Sequence, residues 1–572
     1  MTLLYSQFAA TRLSCLLMAI FGILLQAPIA ISAETWSADG RYFVFSTEAS
    51  LVVQDENGLE DVYRYDRFTG EILLVSVATN NVGSGDAASY APVIDGFGDV
   101  VAFVSDAGNL SPLDHNNLSD VFVRDMALGS TTLISLEKYG TNGANGRSFR
   151  PQLSSDGTMA AFESEATDLV AVPDANGEAN DVFVRNRDSG TTSLVSMNHA
   201  GTASGSSGAL LGAISADGRV VVFESQANDL TTNDSNFTRD VFVRDLAGGV
   251  TTLVSLNWTG AGSGNADSFD ASVSSTGTVV LFGSNADDLV PNDNNAHTDI
   301  FVRDLNSGET RLVSARLDGA ASANGDSFAP KLSADGSMVA FASLAADLSE
   351  NDTNEVADVF ACDLATGTTR LVSINAGGTH SANGYSGDVA LSANGEVVAF
   401  ASRAGNLTTN AADGMPNVFV RDLALGETKL ATVNQAGSAS GTGPAFSADP
   451  ALSSNGCALA FRSLAEGLAA QQIPGTRWFI TGGSNSCTNQ PASTNALMLR
   501  ISLDGAALAL SLPANGGATI ETSQDLIAWS AFDTMAILSV STNLTDGVKN
   551  VRVQRSDQPG SSMFFRLVLP TH

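Results

Sequence analysis

One stretch recurs through most of this chain. Residues 215–255 read SADGRVVVFESQANDLTTNDSNFTRDVFVRDLAGGVTTLVS, and close variants follow one another from Trp36 onward. A turn glycine recurs at Gly40, Gly98, Gly157, Gly218, Gly277, Gly336, Gly395 and Gly456. Each lies five residues before a phenylalanine: Phe45, Phe103, Phe162, Phe223, Phe282, Phe341, Phe400 and Phe461. Successive glycines are 58, 59, 61, 59, 59, 59 and 61 residues apart. A period of this regularity, with one aromatic per unit, fixes a repeat architecture before anything else.

Within one unit, Ala216-Asp217-Gly218 is a tight-turn signal, with glycine supplying positive φ. Val220 to Phe223 is a β-branched run of strand length. A polar loop from Asn228 to Arg239 leads to a second strand, Asp240 to Asp245. Gly248-Gly249 turns the chain into a third, Thr251 to Ser255, and Leu210 to Ser215 is apolar enough for a fourth. A four-stranded meander cannot bury both its faces alone, and meanders stacked radially form a β-propeller. A β-helix has shorter coils, and a sandwich does not need identical units. The expected fold is therefore all-β, a propeller of four-stranded antiparallel blades. Seven repeats are complete from Trp36 to about Asn434. An eighth begins at Ala451, and Trp478-Phe479-Ile480 falls where Val418-Phe419-Val420 sits in the seventh, but no outermost strand is recognisable. The ring has eight blades with the last degenerate, or seven and an extension; the spacing favours eight.

The ends read differently. Arg12 is the only charge before Glu34, Leu13–Leu25 is apolar, and residues 28–33 end in small side chains. The run is shorter than the roughly 20 residues a spanning helix needs. Residues 1–33 are expected to be a signal peptide, the alternative being an uncleaved anchor. Cys15 precedes the apolar run and is badly placed as a lipoprotein acceptor. Export places the chain in the periplasm, at the cell surface or outside the cell. The propeller is assigned residues 34–482, a polar linker 483–494, and a small β-sandwich-like domain 495–572. In that last domain 497–503, 507–512, 518–522, 536–540, 548–553 and 564–569 read as short strands.

Charge narrows the partners. The chain carries 28 Lys and Arg against 61 Asp and Glu, a net charge of −33, and loss of the leader with Arg12 would make it −34. So acidic a protein is a poor partner for nucleic acid, whose phosphates call for clustered Lys and Arg. It is equally poor for anionic lipid. Cations are favoured. Cys457 and Cys487 bracket the degenerate eighth unit, and a disulfide between them would clamp it in an oxidising compartment. Cys362, in place of the strand arginine, is expected to be a lone thiol.

The repeats resemble those of the TolB-type propellers of exported bacterial proteins. Ser-x-Asp-Gly, a β run ending in Phe, Asp-Val-Phe-Val-Arg-Asp, a Gly turn and Leu-Val-Ser carry the likeness over about Trp36 to Ile480. The resemblance implies fold and export. TolB has an α/β domain before its propeller, whereas the mature chain here would start at the first blade, so TolB's envelope partners are not carried over. The segments 521–529 and 564–567 look like a C-terminal β domain of exported proteins, which implies no activity.

The sharpest constellation is the loop before the Asp-Val-Phe strand. It places Asp, Asn and Asp in a fixed order: Asp114/Asn116/Asp120, Asp234/Asn236/Asp240, Asp293/Asn295/Asp299 and Asp352/Asn354/Asp358. Asp55/Asn57/Asp61 fits, Asp174/Asn176/Asp181 has one extra residue, and the seventh repeat departs with Ala411, Asp413 and Asn417. Alternating oxygen side chains resemble half of a calcium loop, whose six to eight ligands carbonyls and water would complete. Asp168, Asp229, Asp288 and Asp347 nearby are possible further ligands. The competing reading is turn chemistry, since Asp and Asn bond their own backbone. The strand arginines Arg124, Arg185, Arg244, Arg303 and Arg421 pair with aspartates of their own or the next blade, or else face the channel as an anionic-glycan site.

Catalysis has little footing. His115, His199, His297, His380 and His572 have no metal-ligand spacing, and there is no Gly-x-Ser-x-Gly elbow. No catalytic or cofactor-binding residue is assigned beyond the calcium candidates. Three readings follow. The first is a non-catalytic propeller that binds protein or glycan, or acts as a scaffold. The second is a glycan-acting hydrolase or lyase with its site in the channel, marked by residues that break the repeat and converge. The third is a structural surface protein with the tail as attachment module.

Overall fold

Each repeat folds as one antiparallel sheet. The computed structural model describes residues 35–410, 414–442 and 447–483, together with five strands between 521 and 567. Blade four shows the pattern: Ala209–Ile214, Val220–Ser225, Asp240–Asp245 and Val250–Leu253 pair in chain order. Eight such four-stranded blades are present, which settles the count at eight, and no helix occurs among the described residues. The chain divides into two compact units, Met1–Cys487 and Thr488–His572.

First strands of neighbouring blades touch one another, so they line the ring's inside and the last strands form its rim. Most first strands carry a bulge at a left-handed residue, such as Arg150, Asp270 or Asp388. The core is divided into eight clusters, one at each joint between blades. One joins Val100, Ala102 and Val121 of blade two to Phe162 and Phe183 of blade three. The phenylalanine after each turn glycine is fully buried and stacks on an aromatic of the next strand, Tyr63 in blade one and Phe in the others, as Phe223 does on Phe242 at 5.6 Å. Each buried ring contributes roughly 1.5–3 kcal/mol.

The Ser-x-Asp-Gly turns form a belt. Ser215 donates to Asp217 and accepts from Val220 N, closing the turn. Backbone hydrogen bonds then run from turn to turn: Ala38 to Gly96, Gly96 to Ser155, and onward through Ala216, Ser275, Ala334 and Ala393 to Ser454. Asn455 Nδ2, 3.5 Å from Asp39 O, spans the last joint. Glycine is required here: Gly218 has φ 70°, and a Cβ there would lie 2.6 Å from Met159 of the preceding blade.

Ring closure does not share a strand. Blade one takes all four strands from residues 35–74, and blade eight takes Ser447–Leu452, Ala458–Ser463, Trp478–Gly482 and Gln471–Gln472. The outermost strand missing from the sequence pattern is thus two residues that precede their partner strand. Trp36, Phe43, Tyr65, Ile473 and Trp478 fill the closing joint. Trp36 Nε1 donates to Ala451 O at 2.9 Å, and Gln471 donates to the Tyr65 hydroxyl at 2.9 Å.

In the second unit, Glu521–Thr522 pairs with Ser530–Ala531, and Ile537–Thr545, Val548–Arg555 and Ser562–Leu567 form an antiparallel meander. The expected strands at 497–503 and 507–512, and the expected signal peptide, lie outside the described residues. Among the described residues no helix is long and apolar enough to cross a membrane.

Candidate functional site

The loops between second and third strands and the connections between blades lie at one end of the ring, because each blade is a meander. The acid loops are at this end. Their closing aspartates, Asp61, Asp120, Asp181, Asp240, Asp299 and Asp358, are buried at the start of the third strand. Each accepts the hydroxyl of the Ser in Leu-Val-Ser or its variant: Ser76, Ser135, Ser196, Ser255, Ser314 and Ser373. That hydroxyl in turn accepts the next backbone N–H, as Ser135 does from Val121 at 3.0 Å. Two motif residues far apart in the repeat therefore form one buried cluster.

The asparagine has a structural role. Asn116 Nδ2 donates to Asp120 at 2.7 Å and to Ala144 O at 2.8 Å, while its Oδ1 accepts Leu118 N. Asn57, Asn295 and Asn354 repeat this arrangement. Asn236 bonds Gly264 O and Thr238 N. The opening aspartates are different. Asp114 is 4% exposed, lies near the Asn116 amide, and neither of its carboxylate oxygens receives a well-directed hydrogen bond. In blades three to six a serine stands near the opening acid (Ser204, Ser263, Ser322 and Ser381), whereas in blade two Gly143 takes that position.

Burial and the facing carboxylate shape the charge. Burial, above all, pushes Asp61, Asp120, Asp181, Asp240 and Asp299 up to about 7, against the lowering effect of the serine hydroxyl. Asp358 moves the same way beside Asp352. Burial also raises Asp114, Asp234, Asp293 and Asp352. In blade seven Asn417 stands in place of the closing aspartate and accepts the Thr432 hydroxyl at 2.7 Å.

Other expected ligands are engaged elsewhere. Asp168, Asp229, Asp288 and Asp347 each accept a backbone N–H of the preceding inter-blade connection, from Asn145, Ser206, Asn265 and Asn324. The strand arginines Arg124, Arg185, Arg244, Arg303 and Arg421 neither pair directly with aspartate nor line the channel. Each donates to a threonine of the outermost strand: Thr131, Thr192, Thr251, Thr310 and Thr428. The third strand sits next to the rim, so the side chain reaches outward. Cys362 is a buried free thiol, as expected. Cys457 is disulfide-bonded, and its expected partner Cys487 lies outside the described residues.

Two repeat-breaking acids escaped sequence reading because they follow the core Phe in an otherwise regular strand. Glu163 and Glu224 occupy a position held by Val104, Gly283, Ala342 and Ala401 in other blades. Glu163 pairs with Arg150 at 3.0 Å and accepts Leu211 N of the next blade; Glu224 pairs with Arg239 at 3.5 Å and accepts Ala271 N. Burial raises both carboxyls. Each therefore fixes a neighbouring inner strand at its bulge. Asn180, Leu210, Glu224 and Arg239 line a cleft of about 250 Å³, and a larger one of about 520 Å³ replaces the acid loop in blade eight, lined by Leu464, Glu466 and Arg477.

The same end of the ring exposes large apolar side chains that sequence reading did not single out. Tyr139 (79% exposed) and Trp258 (62%) lie in inter-blade connections, and Phe237 (74%) in the acid loop of blade four. Leu317 and Val82 are exposed in the corresponding connections of blades five and one. Phe237 has φ 59°, at a loop position that is left-handed in each of blades one to seven: Gly58, Asn117, Gly177, Phe237, Ala296, Glu355 and Gly414.

No protein-family model and no curated protein matches the chain. Solved structures do. TolB from Acinetobacter baumannii is 13% identical over 58% of this chain and 63% of its own, with a TM-score of 0.30. Oligogalacturonate lyase from Vibrio parahaemolyticus is 11% identical over 80% and 90%, at 0.38. Porphyromonas gingivalis dipeptidyl peptidase 4 is 14% identical over 75% and 56%, at 0.46. TolB-like propellers are thus among its structural neighbours, and the chain spans less than two thirds of TolB and of the peptidase.

Proposed function

We propose that this propeller is a non-catalytic binding or scaffold module working outside the cytoplasm, which holds a protein or glycan on the end of the ring carrying the acid loops. The observation behind this reading is the set of exposed aromatics there, above all Phe237. A bulky residue in the left-handed region costs about 1–2 kcal/mol. The left-handed position is common to the loop in blades one to seven, and what sets Phe237 apart is a large ring turned to solvent there. Aromatic side chains offer large stacking area at low entropy cost and dominate binding hot spots. The residues that break the repeat inside the ring, Glu163 and Glu224, are taken up by amides of the next blade and by arginines. That disfavours the second reading, a glycan-acting enzyme in the channel, which would need one raised carboxyl beside one ionised carboxylate, whereas both of these are raised.

The test is binding of the full chain to immobilised polysaccharides and to surface-protein fractions, with Trp258→Ala and Tyr139→Ala beside the parent. A hot-spot aromatic is worth ~2 kcal/mol or more, so at least one variant should lose ~30-fold in affinity with its melting temperature unchanged. Parental affinity in both variants, or turnover of a polysaccharide that Glu163→Gln abolishes, overturns the proposal.

A further inference from the structure

We infer that the acid loops of blades one to six are six equivalent calcium sites, each built on the carboxylates that open and close the loop. The pairs are Asp55/Asp61, Asp114/Asp120, Asp174/Asp181, Asp234/Asp240, Asp293/Asp299 and Asp352/Asp358.

Two independent observations meet here. The first is the repeated pair of acids, both buried in blades one, two, four, five and six, with Asp174 of blade three half-buried. The second is a set of eight buried side-chain oxygens in these loops that no well-directed hydrogen bond reaches: both of Asp114, Oδ1 of Asp55, Asp234, Asp293 and Asp352, Oδ2 of Asp240, and Oδ1 of Asn176. The aspartates bearing them are all more than nine-tenths buried. A buried carboxylate oxygen without a partner carries an uncompensated desolvation cost, and native proteins rarely leave one so. The deficit falls on the loop aspartates of blades one, two, four, five and six; in blade three Asp174 accepts Asn176 N, Gly177 N and the Ser204 hydroxyl, and Asn176 Oδ1 carries the deficit instead.

The donor set selects the ion. Every group is an oxygen, without sulfur or imidazole, so the ion is hard. Calcium tolerates irregular oxygen sets completed by carbonyls and water, whereas magnesium demands near-ideal octahedral geometry, so calcium is the expected ion. Among the described residues no cluster of three or more acids, His or Cys stands together, so backbone carbonyls, water and the neighbouring serines would complete the shell. The asparagines of blades one, two, four, five and six already use one lone pair of Oδ1 on a backbone N–H, so the carboxylates, each with more free lone pairs, are the primary donors. In blade three the unpartnered Asn176 Oδ1 joins the pair. With two carboxylates per site, affinity should fall in the weak range of extracellular modules, a Kd on the order of 10⁻⁴–10⁻³ M. Blade seven serves as an internal control, since Asn417 and Thr432 form its cluster without a closing carboxylate.

The experiment is equilibrium dialysis of the full chain against radioactive calcium with sodium chloride at fixed ionic strength. The parent should take up about six ions saturably, with magnesium a weaker competitor. Asp299→Asn places at the closing position the asparagine that blade seven already carries there as Asn417, so it should fold and take up one ion fewer. Asp114→Asn, at a side chain that makes no directed hydrogen bond, should do the same. No saturable uptake, or parental stoichiometry in both folded variants, overturns the inference.

Discussion

At the scale of single residues, side-chain orientation decides roles that the pattern leaves open. The acids of the loops were legible, since Asp, Asn and Asp recur in order. The asparagine's role was not, because its amide is aimed by a carbonyl some 28 residues on, such as Ala144 O for Asn116. The strand arginines had a plausible partner in every nearby aspartate, yet the rim threonine lies within reach and takes the bond. Phe237 yields a prediction of its own. Phe237→Gly should raise stability by about 1 kcal/mol, as left-handed strain is relieved, while weakening ligand binding. Urea unfolding and a binding titration check the two halves. A second prediction concerns pH. Burial holds Glu163 and Glu224 above the usual glutamate value, so the folded chain keeps protons that the unfolded chain releases. Their contribution is full below about pH 4.5 and is lost as pH rises through the folded values. Between pH 4.5 and 7 the urea midpoint of a Glu163→Gln/Glu224→Gln variant should fall less steeply than the parent's.

At the scale of the blade, the sequence was more informative. Fixed Gly-to-Phe spacing located the second strand of every blade, and Asp-Val-Phe located the third. Blade eight showed the limit: Gln471–Gln472 is too short to carry a periodic signal and comes before the strand it borders. The Ser in Leu-Val-Ser joins the blade's strands at one point, accepting from Val241 N and donating to Asp240 in blade four. Ser255→Ala leaves both groups buried without that partner and should cost about 1–3 kcal/mol. Phe223→Ala empties the stack on Phe242 and should cost about 3–5 kcal/mol. Denaturant midpoints measured for both variants test whether the hydroxyl is a minor or a comparable support.

At the scale of the whole molecule, the belt of turn-to-turn hydrogen bonds and the closing joint depend on pairs such as Trp36 and Ala451, 415 residues apart, which no local pattern reveals. The ring closes on side-chain packing without a shared strand, so its eighth joint is where a clamp has most effect. Arg67 of blade one donates to Cys457 O at 3.2 Å, and Cys457 is itself disulfide-bonded. Over this ring lies a net charge of −33, which opposes the compact state through self-repulsion. Calcium held by the folded form alone would oppose that repulsion at six points. Each site adds RT ln(1 + [L]/Kd), roughly 2.7 kcal/mol at a hundredfold excess over Kd. Magnesium should do less, and sodium chloride at matched ionic strength would reproduce only screening. The most direct measurement is thermal melting of the full chain in chelator, calcium, magnesium and matched sodium chloride. The account predicts a melting temperature highest in calcium, above magnesium and well above the salt control. Equal melting in calcium and in matched sodium chloride would contradict it and leave the acid loops as turns.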